Sequence, residues 1–298
     1  MVEWDSSDWG GGLTYADSGS CVTDEGAHAA SAVETPSILS KAFDLLRAFN
    51  SSSRVMTLTE LSRASGLPKS TVHRLIARLI DLDAVEQHRS GYVVSLDLLG
   101  LTATNPAGEM RDTALPYLAA LHRWSGYSVQ LAVLRQFDVV YLEKIASHNT
   151  PAPRAGVGSR LPANCTALGK ALLAWENLDE LEAVLPRPMP MMTQHSATDV
   201  EDLLVELRRI RGHGLAHERE ESQLELACVA VPIVIHEVAV GAIAASYPAG
   251  TEVGSRVEDA LRDTAAKVAR VSREDLADPA YMGSRALSER ILSVGGTR

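Results

Sequence analysis

The sequence predicts an α+β chain in two folded parts, a small helical unit closed by a β-hairpin and a larger unit built on a largely antiparallel sheet. Three observations carry this. Three short amphipathic helical patterns follow one another between Pro36 and Ile80, and two strand-like runs come directly after them. From Thr113 onward, strand-like apolar runs sit in adjacent pairs between helical patterns, the order expected of α+β rather than of alternating α/β units. A length of 298 residues suits two domains of about 100–200 residues each.

Each element has a local cause. Ala42, Leu45, Leu46 and Phe49 fall at i, i+3, i+4 and i+7 and mark one face of a first helix, which Asn50 to Ser53 end. Thr57 and Glu60 have capping-box spacing and open a second helix that buries Leu61 and Ala64. Gly66 supplies a turn, Leu67-Pro68 leads into a third helix, and Val72, Leu75, Ile76 and Leu79 form its apolar face. Ala84–His88 and Gly91–Leu96, separated by Arg89-Ser90, read as a hairpin. Three helices and a hairpin in this order make a winged helix-turn-helix over residues 35–97.

Residues 98–112 read as a partly helical linker in which Pro106 interrupts or starts a helix. The larger domain spans 113–275. Leu115, Leu118 and Leu121 suggest a helix, and Tyr127–Leu134 with Val139–Ile145 suggest paired strands. Helices follow at Thr166–Trp175 and Leu178–Leu185. Thr198 and Glu201 have capping-box spacing ahead of Val200, Leu203, Leu204 and Leu207. The strands Ala227–Val234 and Val238–Tyr247 precede a last amphipathic helix carrying Val257, Leu261, Ala265 and Val268. Residues 276–298 form a C-terminal tail without a partner face. Residues 1–34, rich in Gly, Ser, Asp and Ala, read as a disordered acidic tail.

The net charge of −10 is unevenly placed: residues 1–34 carry −7, residues 35–100 carry +2, and the remainder −5. Only the middle block suits a polyanion. At about 100° per residue, with Val72 at the centre of the buried face, Ser70, Arg74 and Arg78 point the other way and Thr71 and His73 flank them. No acid lies between Lys69 and Arg78. Arginine can clasp a guanine edge in the major groove, while Lys, Ser and Thr suit phosphates or base edges. Arg89 at the hairpin tip reaches the adjacent backbone. A basic face on an isolated helix is more often just a solvated surface; the short helix, glycine turn and hairpin around it favour duplex DNA.

Other chemistry is poorly supplied. Cys21, Cys165 and Cys228 form no C-x-x-C pair, and their odd number argues against a disulfide framework. His213 and His217 stand at i,i+4, but glycines flank His213 and no glutamate completes a zinc motif, so no metal is expected. Gly169-Lys170 has the look of a phosphate-binding loop, yet Asn164 stands at its first glycine and Ala171 at its Ser/Thr. No apolar run approaches the roughly 18 residues of a membrane span. No secretory pattern opens the sequence, so a cytoplasmic location is expected and no membrane partner. No cofactor is indicated.

The residues Leu58 to Leu75, with Gly91-Tyr92-Val93-Val94-Ser95-Leu96, resemble the helix-turn-helix and wing of the IclR family of bacterial regulators. A second, separate stretch also resembles that family: Gly158-Ser159-Arg160-Leu161-Pro162 followed by Thr166 to Ala174. Later blocks are Arg211-Gly212, Gly214, Ala216, Glu221 and Cys228-Val229-Ala230-Val231-Pro232. The similarity covers roughly residues 36–273. It implies a GAF-like (profilin-like) effector-binding domain and homodimers, often dimers of dimers, on palindromic or repeated double-stranded operators. It also implies a regulator responsive to a small-molecule effector, a repressor relieved by a small organic acid, aromatic acids among them.

Carried over position by position, the resemblance places Leu161, Ala167, Leu168, Leu226, Cys228 and Ser246 in the lining of the effector pocket and Glu218 as its acidic member. Leu161, Leu168 and Leu226 are equally explained as core, and Cys228 as packing in an apolar strand. The chain departs from the family at Glu225, a place commonly glycine, and at Ala244, where some members carry a hydroxyl. The loop before the helix at Thr166 offers backbone N–H groups suited to a carboxylate. Two other functions remain open: a DNA-binding protein whose second domain only oligomerises, and a cysteine-dependent enzyme using Cys228 or Cys165. The enzyme reading lacks a local base for the thiol and leaves the helix-turn-helix unexplained.

Overall fold

A computed structural model describes residues 37–49, 55–102, 105–148 and 150–275. The tails expected over 1–34 and 276–298, and the helix end expected at Asn50 to Ser53, lie outside the described residues. The chain divides into two compact units between Leu101 and Thr102.

In the first unit Ile38–Ala48 (α1) starts from Ser37, whose hydroxyl accepts from the Ser40 N–H. Ala42, Leu46 and Phe49 pack beside buried Leu45 and Ala48. Leu58–Ser65 (α2) opens with the capping box: Thr57 Oγ1 accepts from the Glu60 N–H at 3.3 Å, and Glu60 accepts from the Thr57 N–H at 2.8 Å. Leu61 is fully buried, but Ala64 is exposed, contrary to expectation. A helix of 8 residues makes little more than two turns and turns only a narrow arc to the core. Gly66 then takes a left-handed φ of 68° that a side chain would strain. Lys69–Asp81 (α3) buries Val72, Leu75, Ile76 and Leu79 against α1 and α2.

Val85–His88 (β1) and Gly91–Val94 (β2) pair antiparallel, from Val85 opposite Val94 to His88 opposite Gly91. The second strand stops short of the expected Leu96, which is exposed; the Ser95 N–H still donates to the Ala84 carbonyl. Met56 bridges Tyr92 on the outer side of β2, so close that a Cβ on Gly91 would sit 2.8 Å from the Met56 carbonyl carbon. Asp97–Thr102 (α4) follows.

In the second unit Asn105 caps Pro106–Ser125 (α5), with Pro106 in the first turn. This helix begins inside the stretch expected to be linker, because Ala107 and Met110 already face the domain's core. Among the described residues six strands form one sheet: Ser128–Arg135 (β3), Asp138–Ile145 (β4), Arg160–Pro162 (β5), Ala216–Arg219 (β6), Leu226–Ile235 (β7) and Val238–Pro248 (β8). Their order is β5-β4-β3-β8-β7-β6, and every pairing is antiparallel. The short strands β5 and β6 were not foreseen; three and four residues are too few for a period-2 pattern to show.

Helices cover both faces. α5 and Ser255–Asp275 (α9) pack on one, over Val129, Leu131, Val229, Val231 and Ile243. Ala167–Leu173 (α6), Leu178–Val184 (α7) and Val200–His213 (α8) pack on the other, over Ala132, Leu134, Cys228, Ala230 and Ala244. Double coverage explains why β3, β7 and β8 read as continuous apolar runs. The cap expected at Thr198 belongs instead to Asp199, whose side chain accepts from the Asp202 N–H at 3.0 Å. Aspartate caps as well as threonine, and starting one residue later puts Val200 in the core. Gly169 crosses Ala163 with no room for a side chain: a Cβ there would lie 2.6 Å from the Ala163 carbonyl carbon.

Candidate functional site

The first candidate surface is α3. Its apolar stripe is spent on the core, so the remaining face is presented outward. Lys69, Ser70, His73, Arg74 and Arg78 are exposed and Thr71 is half-buried. The turn before it is braced by side chains: Ser62 Oγ donates to the Leu67 carbonyl at 2.7 Å, and Ser65 Oγ donates to the Leu61 carbonyl at 2.6 Å. Arg78 lies 3.5 Å from the Asp81 carboxylate, both groups exposed, an arrangement worth little in water. Arg89 is exposed at the β1–β2 turn.

The second candidate site lies on the sheet face beneath α6–α8. Register sets Glu218 of β6 opposite Cys228 of β7, and Cys228 opposite Ser246 of β8. Cys228 Sγ lies 3.2 Å from Glu218 Oε1 and 3.1 Å from Ser246 Oγ. Ser246 Oγ donates to Gln130 Oε1 at 3.1 Å, and Ser222 Oγ donates to Glu218 Oε1 at 2.7 Å. These contacts form one polar row across four strands, with Glu218, Cys228, Ser246 and Gln130 all buried. Ala167, Leu168 and Leu226 are buried in the same apolar cluster as Cys228, and half-buried Leu161 packs against it.

Glu225 does not join this row. It is exposed at the start of β7 with a left-handed φ of 64°, which is why glycine suits that place. Ala244 does face it, buried and directly across from Gln130. The row's members Gln130 and Ser222 were missed in the sequence. Gln130 had a signal: like Ser246, it interrupts an apolar strand.

Beside the row, Lys170 is 1% exposed and its Nζ stands 2.8 Å from both Glu206 and Glu221. Burial pulls the Lys170 pKa down, but the two carboxylates more than offset it and the net shift is upward. Burial drives Glu218 up to about 7 and the charge of Glu221 adds to this, against hydrogen bonds from Ser222 and Cys228 and the charge of Lys170. Burial also raises the thiols of Cys228 and Cys165. A raised thiol is the reverse of an activated nucleophile. The seven-residue α6 is capped by its own Thr166, whose hydroxyl accepts from the Gly169 N–H at 3.0 Å. His213 ends α8 and His217 lies on β6.

A helix-turn-helix presenting basic residues, followed by a domain enclosing a polar row, defines the class: a two-domain, ligand-responsive transcription regulator. Residues 38–89 match the IclR helix-turn-helix domain, and residues 106–270 match the C-terminal domain of bacterial transcriptional regulator IclR. The chain belongs to the IclR family of bacterial transcriptional regulators. It is 31% identical over 225 residues to the HTH-type transcriptional regulator XynR of Escherichia coli K12, covering 74% of this chain and 87% of that protein. To the HTH-type transcriptional regulator KdgR of Dickeya chrysanthemi it is 31% identical over 216 residues, covering 70% of each. An IclR homolog from Microbacterium hydrocarbonoxydans, solved in complex with 4-hydroxybenzoate, matches with a TM-score of 0.69 at 26% identity, covering 80% of this chain and 100% of that one. The protein is thus a transcriptional regulator.

Proposed function

We propose that this regulator is a repressor whose hold on its operator is released by a small organic acid, aromatic acids among them. Residues 35–97 are its DNA-binding domain, the connection that follows ends where α5 starts at Pro106, and the rest to residue 275 senses the effector. Lys69, Ser70, Thr71, His73, Arg74, Arg78 and Arg89 contact DNA, with Arg74 at the base edges and Lys69 on phosphate. Leu161, Ala167, Leu168, Glu218, Leu226, Cys228 and Ser246 line the effector site. The protein works in the cytoplasm as a homodimer, paired into a dimer of dimers, since one small basic face binds weakly and a two-fold axis doubles it onto a palindrome. The effector acts by favouring one arrangement of the DNA-binding domains, for which its affinity must differ between arrangements.

The observation that carries this reading is the exposed basic face of α3 on a helix whose opposite stripe is fully committed to the core. Fluorescence anisotropy on the region upstream of its own gene tests it. Arg74→Ala should abolish specific binding with the fold intact. Lys69→Ala should weaken all sequences alike and lower the slope of log affinity against log salt by about one. Unchanged affinity in Arg74→Ala would refute the assignment. Transcription in vitro should fall on adding the protein and recover with acid; a rise on adding it would make it an activator.

A further inference from the structure

We infer that Gln130 is the residue through which the effector site selects its ligand: its side-chain N–H donates to a carboxylate oxygen of a small organic acid, and it offers that donor while Glu218 holds a proton. The inference rests on the organic-acid reading above and says how the acid is gripped.

Gln130 is fully buried on β3 and its Nε2 has no hydrogen-bond partner among the described residues, although its Oε1 accepts from Ser246. Its cross-strand neighbour on β8 is Ala244, whose methyl accepts nothing. The neighbour on β4 is Lys144, which donates to the Pro153 carbonyl at 2.9 Å. A buried amide donor left open in an otherwise bonded row needs an acceptor from outside the chain.

Counting hydrogens along the row ties the orientation of the Gln130 amide to the proton on Glu218. Three contacts link Glu218 to Cys228, Cys228 to Ser246, and Ser246 to Gln130 Oε1, at 3.2, 3.1 and 3.1 Å. Cys228 and Ser246 bring one hydrogen each. With Glu218 ionised, the thiol hydrogen goes to the carboxylate and the hydroxyl hydrogen to Gln130. The Cys228–Ser246 contact is then left with none. A proton on Glu218 donated to Sγ frees the thiol hydrogen for Ser246 and completes the chain. Were Glu218 ionised with every contact satisfied, the order would reverse: the Gln130 amide would turn its nitrogen to Ser246 and face the site with its oxygen. A carboxylate would then meet an acceptor.

The surroundings act in the same direction. Glu218 titrates near 7 because burial and Glu221 favour its neutral form over the pull of Ser222, Cys228 and Lys170. Tyr141 on β4 and Cys165 before α6 also feel its charge. Lys170 is already shared by two carboxylates, so an ionised Glu218 would oppose an anionic ligand without a counterion to spare.

The test is calorimetric titration of the full chain with 4-hydroxybenzoate and benzoate, and with 4-hydroxybenzyl alcohol, which lacks the carboxylate. Gln130→Met, equal in length but without donor or acceptor, should weaken acid binding about tenfold or more. Gln130→Asn, which withdraws the amide by one methylene, should do the same and serves if the Met variant fails to fold. For the wild type, titration in buffers of different ionisation heat should show proton uptake just above neutrality. Its acid affinity should fall between about pH 6 and about pH 8.5. Acid binding with no proton uptake, acid binding equally tight in the folded variants, or alcohol bound as tightly as acid, overturns the inference alone. Failure of every acid to bind the wild type overturns the organic-acid reading, and this inference with it.

Discussion

Glu218 and Glu225 carry the same functional group a few residues apart, and their environments give them opposite parts. Glu225 stands in solvent and matters for its backbone, whereas Glu218 is enclosed and matters for its proton. The folded pKa of Glu218 is raised from 4.5 to about 7, so the fold binds that proton more tightly than the unfolded chain does. Its contribution is therefore best below pH 4.5 and is lost as pH rises through about 7. The full loss is on the order of 3 kcal/mol. Glu176, raised to about 7 chiefly by burial, acts in the same direction. Thermal melting followed from acid to alkaline pH should show stability declining across this window, and Glu218→Gln should flatten the decline. A decline of equal size in that variant would mean that Glu218 is not the group responsible. The family resemblance singled out both glutamates, but the burial of Glu218 and the proton it holds were not legible at residue level, since they depend on what packs around the side chain.

Elements were more legible, because their causes are local. The capping box at Thr57 and Glu60, the left-handed Gly66 and the apolar stripe of α3 all stand where their spacing put them. The cap also sets the start of α2, from which the turn and α3 follow. Thr57→Ala should cost about 1 kcal/mol in denaturant unfolding of the first unit. A loss near zero would show that packing around Leu61, not the cap, holds α2 in place. Legibility failed where an element is too short or too enclosed for periodicity. β5 and β6 take their strand conformation from the edges of β4 and β7. α6 is buried on every side, so no apolar stripe could reveal that Lys170 points at two acids.

At the scale of the whole molecule, two units with separate cores imply two cooperative events. Scanning calorimetry should resolve two unfolding transitions. A bound acid should raise only the transition of the second unit, by mass action on its folded form. Arg74→Ala should leave both unmoved, because its side chain is exposed. A single transition shifted as a whole would show that the units unfold together.

What the sequence determined by itself is whatever depends on neighbours along the chain: the helix starts, the turn at Gly66, the hairpin, the basic face of α3 and the two-part division. The tertiary structure alone decided what depends on neighbours across the sheet. Glu218, Cys228 and Ser246 lie opposite one another on three strands, and Gln130, 116 residues before Ser246 in the chain, lies diagonal to it on a fourth; antiparallel pairing of the strands brings them together. Burial then sets their protonation. Register and burial are properties of the packed sheet, so no local pattern of residues carries them.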